Sequence, residues 1–234
     1  GTTCGSRGDG SYGLSISNRP ILMQVPDGKF VQKIVSGFQT IFVTTDGSVY
    51  TCGGGSTSGL PGNPQKLGYA ATGTNYLFWH LIATNVRDVA GGMSYNYLIM
   101  ADGTLKGFGF YGGFMGAANN GIRYAVPTDL TSDITNRMDG SIKELTVNMM
   151  GSLAKTSSGK IYYWGDNAMG NAGNGQELDY ANTLLPYAWN FTVYQMPIRF
   201  PLQVTNKNNF KHIFGDFSPF VFYNYVIDST GQMY

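Results

Sequence analysis

Hydrophobic positions along this chain fall in short β-rich runs closed by glycine, with no convincing helical period. The clearest unit reads Val31-Gln-Lys-Ile-Val-Ser-Gly37, Thr40-Ile-Phe-Val-Thr44, the pair Asp46-Gly47, then Val49-Tyr-Thr-Cys-Gly53. The same order returns around Val86 to Gly92, Ile142 to Asn148 and Phe210 to Gly215. Each copy is followed by a second apolar run, an X-Gly pair and a third run. Runs of this length, rich in Val, Ile, Thr, Tyr and Phe, are strands and too short for helices. Asp46-Gly47, Asp102-Gly103, Ser158-Gly159 and Thr230-Gly231 predict hairpins with two-residue loops, because glycine supplies the positive φ such loops require. Self-similarity on this scale marks a repeat architecture.

Two further slots recur. Gly37, Gly92 and Gly215 close the first run, with Asn148 in the third copy. Asn is the other residue that tolerates a left-handed backbone, so a positive φ is expected there. A glycine-rich corner follows the third run. It reads Trp164-Gly-Asp-Asn167 with Gly170 and Gly173, and Cys4-Gly-Ser-Arg7 with Gly10 and Gly13. Cys52-Gly53 and Phe108-Gly109 open looser versions. Pro20, Pro127 and Pro201 then re-enter extended chain, which predicts a fourth strand at the sheet edge, where proline is tolerated.

The order strand, Gly, strand, X-Gly, strand, Trp-Gly-x-Asn-x-x-Gly-x-x-Gly, Pro-x-x-Val resembles the regulator of chromosome condensation repeat. The resemblance spans the chain and recurs four times, with Trp164-Gly165-Asp166-Asn167 as its nearest copy. Cys4, Cys52 and Phe108 replace the tryptophan elsewhere. The His usual after the first glycine and the Gln-Leu between the last two are absent, as in a divergent member. The resemblance implies an all-β fold, a β-propeller of antiparallel blades in which each blade depends on its neighbours. Four repeat units are expected, near 1–50, 51–106, 107–162 and 163–234, in one propeller domain. Gly1–Gly5 and Gln232–Tyr234 both read as pieces of a strand. The expectation is an arc of a longer propeller; the alternative is a small closed ring in which those pieces join.

Composition narrows the chemistry. Of 234 residues 33 are Gly, 16 Tyr and 14 Phe, and 12% are charged, against about 25% in ordinary domains. A net charge of +1 offers no basic field for nucleic acid, and no apolar run approaches the ~20 residues of a membrane helix. Cys4 and Cys52 share a slot with Phe108 and Trp164, which reads as core packing and not as a disulfide. His80 and His212 have no Cys or His at ligand spacing, so no metal is expected. Asp46 and Asp102 serve turns and Asp166 a corner, and neither a nucleophile elbow nor a phosphate loop appears. No catalytic residue and no cofactor is expected.

The long interval between Gly173 and Pro201 holds Tyr187, Trp189, Phe191 and Tyr194, and a smaller cluster includes Phe110 and Tyr111. Long loops on a rigid scaffold carry function, and Tyr and Trp dominate interface hot spots. These six are therefore the candidate partner-binding residues, against the competing reading that they cap their own blades. The chain reads as a non-enzymatic protein–protein interaction or assembly module whose partners are proteins, up to a large assembly. Two alternatives stay open. One is guanine-nucleotide exchange on a small GTPase, which the resemblance implies for the founding member. The other is a secreted or cell-surface adhesion or coat component, suggested by Arg7-Gly8-Asp9 and by the sequon Asn190-Phe-Thr192, where Asn190 would be glycosylated.

Overall fold

The computed structural model describes residues 24–36, 39–53, 78–92, 95–109, 115–116, 124–148, 151–165, 172–173, 198–215 and 224–234. Its strands form antiparallel meanders in which sequence neighbours pair. The first sheet runs β1 (Val31–Ser36), β2 (Gln39–Thr44), β3 (Val49–Gly53), β4 (His80–Ala83). The second runs β5 (Val86–Gly91), β6 (Tyr95–Met100), β7 (Leu105–Gly109), β8 (Tyr124–Asp129). The third runs β9 (Ile142–Val147), β10 (Gly151–Thr156), β11 (Ile161–Gly165), β12 (Ile198–Gln203). The fourth pairs β13 (Phe210–Gly215) with β14 (Asn224–Asp228), and an Ile227–Met233 bridge begins its third strand. These are the blades of an all-β propeller fold. Two 3-10 turns, Pro26–Gly28 and Thr135–Arg137, are the only helical pieces among the described residues. The chain divides into two compact units, Gly1–Tyr111 with Gly121–Thr131, and Gly112–Asn120 with Ser132–Tyr234.

All four X-Gly pairs form the hairpin between second and third strands, and Gly47, Gly103, Gly159 and Gly231 have φ of 80°, 91°, 79° and 90°. The loops, however, hold three residues where two were expected. Thr44, Met100, Thr156 and Asp228 donate their N–H to the carbonyls of Ser48, Thr104, Lys160 and Gln232. Within each loop the glycine N–H returns to the residue that opened it. That is a tight turn followed by a left-handed bulge residue, the commonest three-residue hairpin. One more bond ties the turn to the start of its sheet. Thr45, Ala101, Ser157 and Ser229 donate to the carbonyls of Phe30, Asn85, Ser141 and Asn209. The register shifts at the same place in every copy, leaving Gln32, Arg87, Lys143 and Lys211 bulged out and exposed.

The expectation of a left-handed backbone at Gly92, Gly215 and Asn148 is not met. Among the described residues the non-glycine positions with positive φ are Asp27 and Asn85, and neither Gly92 nor Gly215 is left-handed. Counting from the shared turn aligns Gly215 with Gly91 and leaves Asn148 with Gly92. Gly91 and Gly215 answer to crowding: a Cβ at Gly91 would strike Asn96 Oδ1 and lie 3.2 Å from Val35 Cγ1, and one at Gly215 would lie 2.7 Å from Thr146 Oγ1. Asn148 instead closes its own connection, accepting the Gly151 N–H on Oδ1 at 2.6 Å. Gly37 lies outside the described residues.

Middle strands are buried on both faces: β2, β3 and β11 throughout, and β6, β7 and β10 at all but one position each. Within each unit one sheet packs on the next. Ile41, Val43 and Val49 join Val86, Val89 and Leu98 in one cluster, and Leu153 and Ile161 join Phe210 and Ile213 in another. Burying side chains of this size contributes roughly 1.5–3 kcal/mol each. Cys52, Phe108 and Trp164 occupy one register slot, opposite Thr40, Asn96 and Ser152, and all three are fully buried. Cys52 is a buried thiol, as the core reading requires; Cys4 lies outside the described residues. Pro127 and Pro201 fall on β8 and β12, which are edge strands as expected; Pro20 lies outside the described residues.

Candidate interaction surface

Because the strands are antiparallel, each sheet has two unlike ends. One end carries the three-residue hairpins and the links between blades, of which Thr84-Asn85 is the shortest. Asn85 makes that reversal with φ 57°. The opposite end carries the connections from third to fourth strand, spanning positions 54–79, 110–123 and 166–197.

The hairpin end is clasped shut by charge and by tyrosine. Lys29 bridges to Asp46 at 3.0 Å and donates to Ser48 Oγ at 2.9 Å, while Tyr50 donates to Asp27 at 3.0 Å. In the third sheet Lys160 bridges to Asp139 at 2.7 Å, and the Tyr162 hydroxyl accepts the Asp139 N–H at 2.9 Å. In the fourth, Tyr234 donates to Asp228 at 3.1 Å and Lys207 lies 4.5 Å from its ring centre. Tyr50, Tyr162 and Tyr234 hold the same repeat position, where the second sheet has Lys106. The Thr44 hydroxyl, at 2.5 Å, and then Lys29 hold Asp46 well below the usual carboxylate range. Asp46 raises Lys29 in return, and Asp139 raises Lys160. Burial, then Asp27, pushes the Tyr50 phenol up. Each shift moves a group away from neutral pH, so Asp46, Lys29 and Lys160 hold fixed charge, Tyr50 stays a neutral phenol, and none is poised to exchange protons.

The six candidate partner-binding residues, Phe110, Tyr111, Tyr187, Trp189, Phe191 and Tyr194, lie outside the described residues, as do Asn190 and Arg7-Gly8-Asp9. Anchors of their loops are visible. Met115, in the segment that follows Tyr111, is fully buried, and a Cβ on Gly116 would lie 2.9 Å from Ile134 and 3.1 Å from Trp164. Ala172 is buried in the cluster with Leu153 and Tyr163. His80 begins β4, and exposed His212 sits 4.0 Å from Glu144 Oε2. Among the described residues no group of His, Cys, Asp or Glu could hold a metal, and no helix is long and apolar enough to cross a membrane. The tyrosine clasp escaped sequence reasoning, although a Tyr three residues after the X-Gly glycine in three of four copies is a signal for it.

Repeated four-stranded antiparallel blades with one bulge, one turn and one joint define a propeller built of a single repeat. Solved structures give that propeller its type. Human WBSCR16 matches with a TM-score of 0.67 at 16% identity, over 100% of this chain and 54% of that one. Yeast RCC1 (Prp20), solved bound to Kap60, matches at 0.64 and 15% over 90% and 44%. Prp20p from Saccharomyces cerevisiae, described with its binding to Gsp1p and histones, matches at 0.52 and 17% over 75% and 38%. The chain has the RCC1-type β-propeller fold, and it spans about half the length of the solved proteins it matches. No protein-family model matches it.

Proposed function

We propose that the chain is a non-enzymatic protein-interaction module, whose long loops at the corner end of its blades dock a protein partner. The observation that supports this reading is the inequality of the two sheet ends. At the hairpin end each turn holds three residues and is tied down by recurrent backbone bonds, with the Lys29–Asp46 and Lys160–Asp139 bridges beside two of them. The connections at 110–123 and 166–197, which contain all six candidate aromatics, leave from the other end. A rigid sheet carrying long aromatic loops at one end is the usual arrangement of a binding scaffold. Prp20 has been solved bound to Kap60 and described as binding Gsp1p and histones, which adds support for a protein partner. Nucleic acid is not the ligand in this reading, because a net charge of +1 supplies little electrostatic attraction to phosphate.

The test is cross-linked partner recovery from native extract by the full chain. Tyr187→Ala and Trp189→Ala should each lower recovery about tenfold, the loss of one hot-spot side chain, while Asp102→Asn at the hairpin end leaves it unchanged. Equal recovery by all variants contradicts the assignment. Faster nucleotide release from a small GTPase on adding the full chain would replace docking by exchange.

A further inference from the structure

The first strand of each sheet holds one extra residue at its hairpin end, and the bulge turns that residue toward solvent. Gln32, Arg87, Lys143 and Lys211 occupy this slot, and all four are exposed. The second unit fills it with lysine twice. There β9 is an edge strand of its sheet and β13 packs against it. Glu144 and Lys155 lace the two strands together. Lys155 Nζ donates to Glu144 Oε1 and to the Lys211 carbonyl, and Glu144 Oε2 accepts the Ile213 N–H at 3.2 Å. Lys143, next to Glu144, and Lys211 therefore flank one clasp on neighbouring strands.

Positive charge is in excess there. The described residues of the second unit carry seven basic side chains against four acidic ones, while those of the first carry four against five. The four acids are occupied. Asp139 bridges to Lys160 and Glu144 to Lys155. Asp228 is buried under the Thr230 and Gln232 N–H groups and the Thr230 and Tyr234 hydroxyls, and Asp133 makes a contact of its own. His212 faces Glu144 at 4.0 Å and, when neutral, leaves this balance unchanged. Lys207 lies over the Tyr234 ring. Among the described residues no carboxylate bridges to Lys143 or Lys211.

We propose that Lys143 and Lys211 form a docking strip for an acidic, extended peptide segment of another protein. Stacked sheets lie about 10 Å apart, and an extended chain sets same-side side chains about 7 Å apart, so carboxylates along one segment can meet both ammonium groups. The clasp beneath holds the two strands in place before binding, which lowers the ordering cost of association. A single phosphate fits less well, because lysine offers a hydrated point charge and lacks the planar fork with which arginine grips phosphate oxygens. A net charge of +1 gives nucleic acid little long-range attraction. Lysine on a strand edge also discourages edge-to-edge pairing, a role that calls for no acidic ligand. The strip lies at the hairpin end, so the inference is independent of whether the corner loops bind a partner.

Fluorescence anisotropy of labelled hexaglutamate, titrated with the full chain at low salt, tests the proposal. Saturable binding is expected, and it should weaken about tenfold on going to about 0.15 M salt, where charges are screened beyond ~8 Å. Lys143→Gln and Lys211→Gln should each weaken it about threefold, and the double variant about tenfold. Lys106→Gln, which removes one charge from β7, should leave it unchanged. Both lysines are exposed, so the variants keep their fold, checked by circular dichroism. Carbodiimide coupling of the peptide to the unaltered chain gives a second reading and should mark Lys143 or Lys211. No saturable binding, an equal loss with Lys106→Gln, or coupling confined to other lysines would overturn the proposal and leave the pair as edge protection. So would a single-stranded thymidine hexamer that binds more tightly through the same two lysines, because it would assign the strip to nucleic acid.

Discussion

At the hairpin turns the backbone demand on glycine is identical while its surroundings differ, which separates strain from crowding. Gly103 has φ 91° with nothing within 4 Å of an added Cβ; Gly159 has φ 79° with the Asn208 carbonyl in the way. Gly103→Ala should cost only left-handed strain, about 1–2 kcal/mol. Gly159→Ala should cost about 1–3 kcal/mol more, because a backbone atom must move. Urea unfolding of the two variants measures the difference, and equal losses would contradict the packing described for the Asn208 link. Gly215→Val probes crowding alone and should destabilise by about 1–3 kcal/mol through Thr146. The turn glycines were legible because an X-Gly pair between two apolar runs fits little besides a hairpin. The reason for Gly215 was not, because the demand comes from Thr146, nearly 70 positions away, and no local pattern records it.

At the scale of the element, one hairpin is built four times with exchangeable chemistry. Thr44 donates its hydroxyl to Asp46 in the first copy; in the fourth the order is reversed, and Thr230 donates to Asp228 at 2.6 Å. Hydrogen bonds to the charged form hold Asp46, Asp102 and Asp228 below their ordinary values, Asp46 and Asp228 chiefly through threonine hydroxyls and Asp102 through the Thr104 N–H. A carboxylate depressed on folding stabilises the native state above its unfolded pKa, and that stabilisation is lost as pH falls through the acid range toward the native value. Asp46→Asn should therefore lower Tm at neutral pH, and the difference should begin to shrink only below pH ~4, the unfolded value, and persist in part at pH ~3 because the native carboxylate is still ionised there. A Tm difference that stays constant with pH would contradict the role of Asp46. Edge strands β8 and β12 were legible from Pro127 and Pro201, while β4 was not, because no proline or glycine word announces His80–Ala83. Loop length was not legible for a related reason: an X-Gly pair is compatible with two- and three-residue hairpins, and the closing N–H to carbonyl bond decides between them.

For the whole molecule, burial of the middle strands on both faces implies that no sheet is stable alone, so stability resides in the repeated joint. The architecture was legible because four imperfect copies corroborate one another where any single copy would be weak. The candidate site was legible only as an excess of aromatics in two long connections; which of them meet a partner depends on loop geometry that strand periodicity does not encode. The central claim is that four copies fold in one register, and amide hydrogen exchange tests it most directly. Thr45, Ala101, Ser157 and Ser229 sit on exposed hairpin turns, where a free amide exchanges at nearly the random-coil rate. Their shared bonds to Phe30, Asn85, Ser141 and Asn209 predict that all four are protected, while the next amide in the first three turns, from Asp46, Asp102 and Ser158, exchanges faster; in the fourth, the Thr230 N–H donates to Asp228 Oδ1 at 2.9 Å. Protection at one or two of the four, or fast exchange at all of them, would contradict the common register.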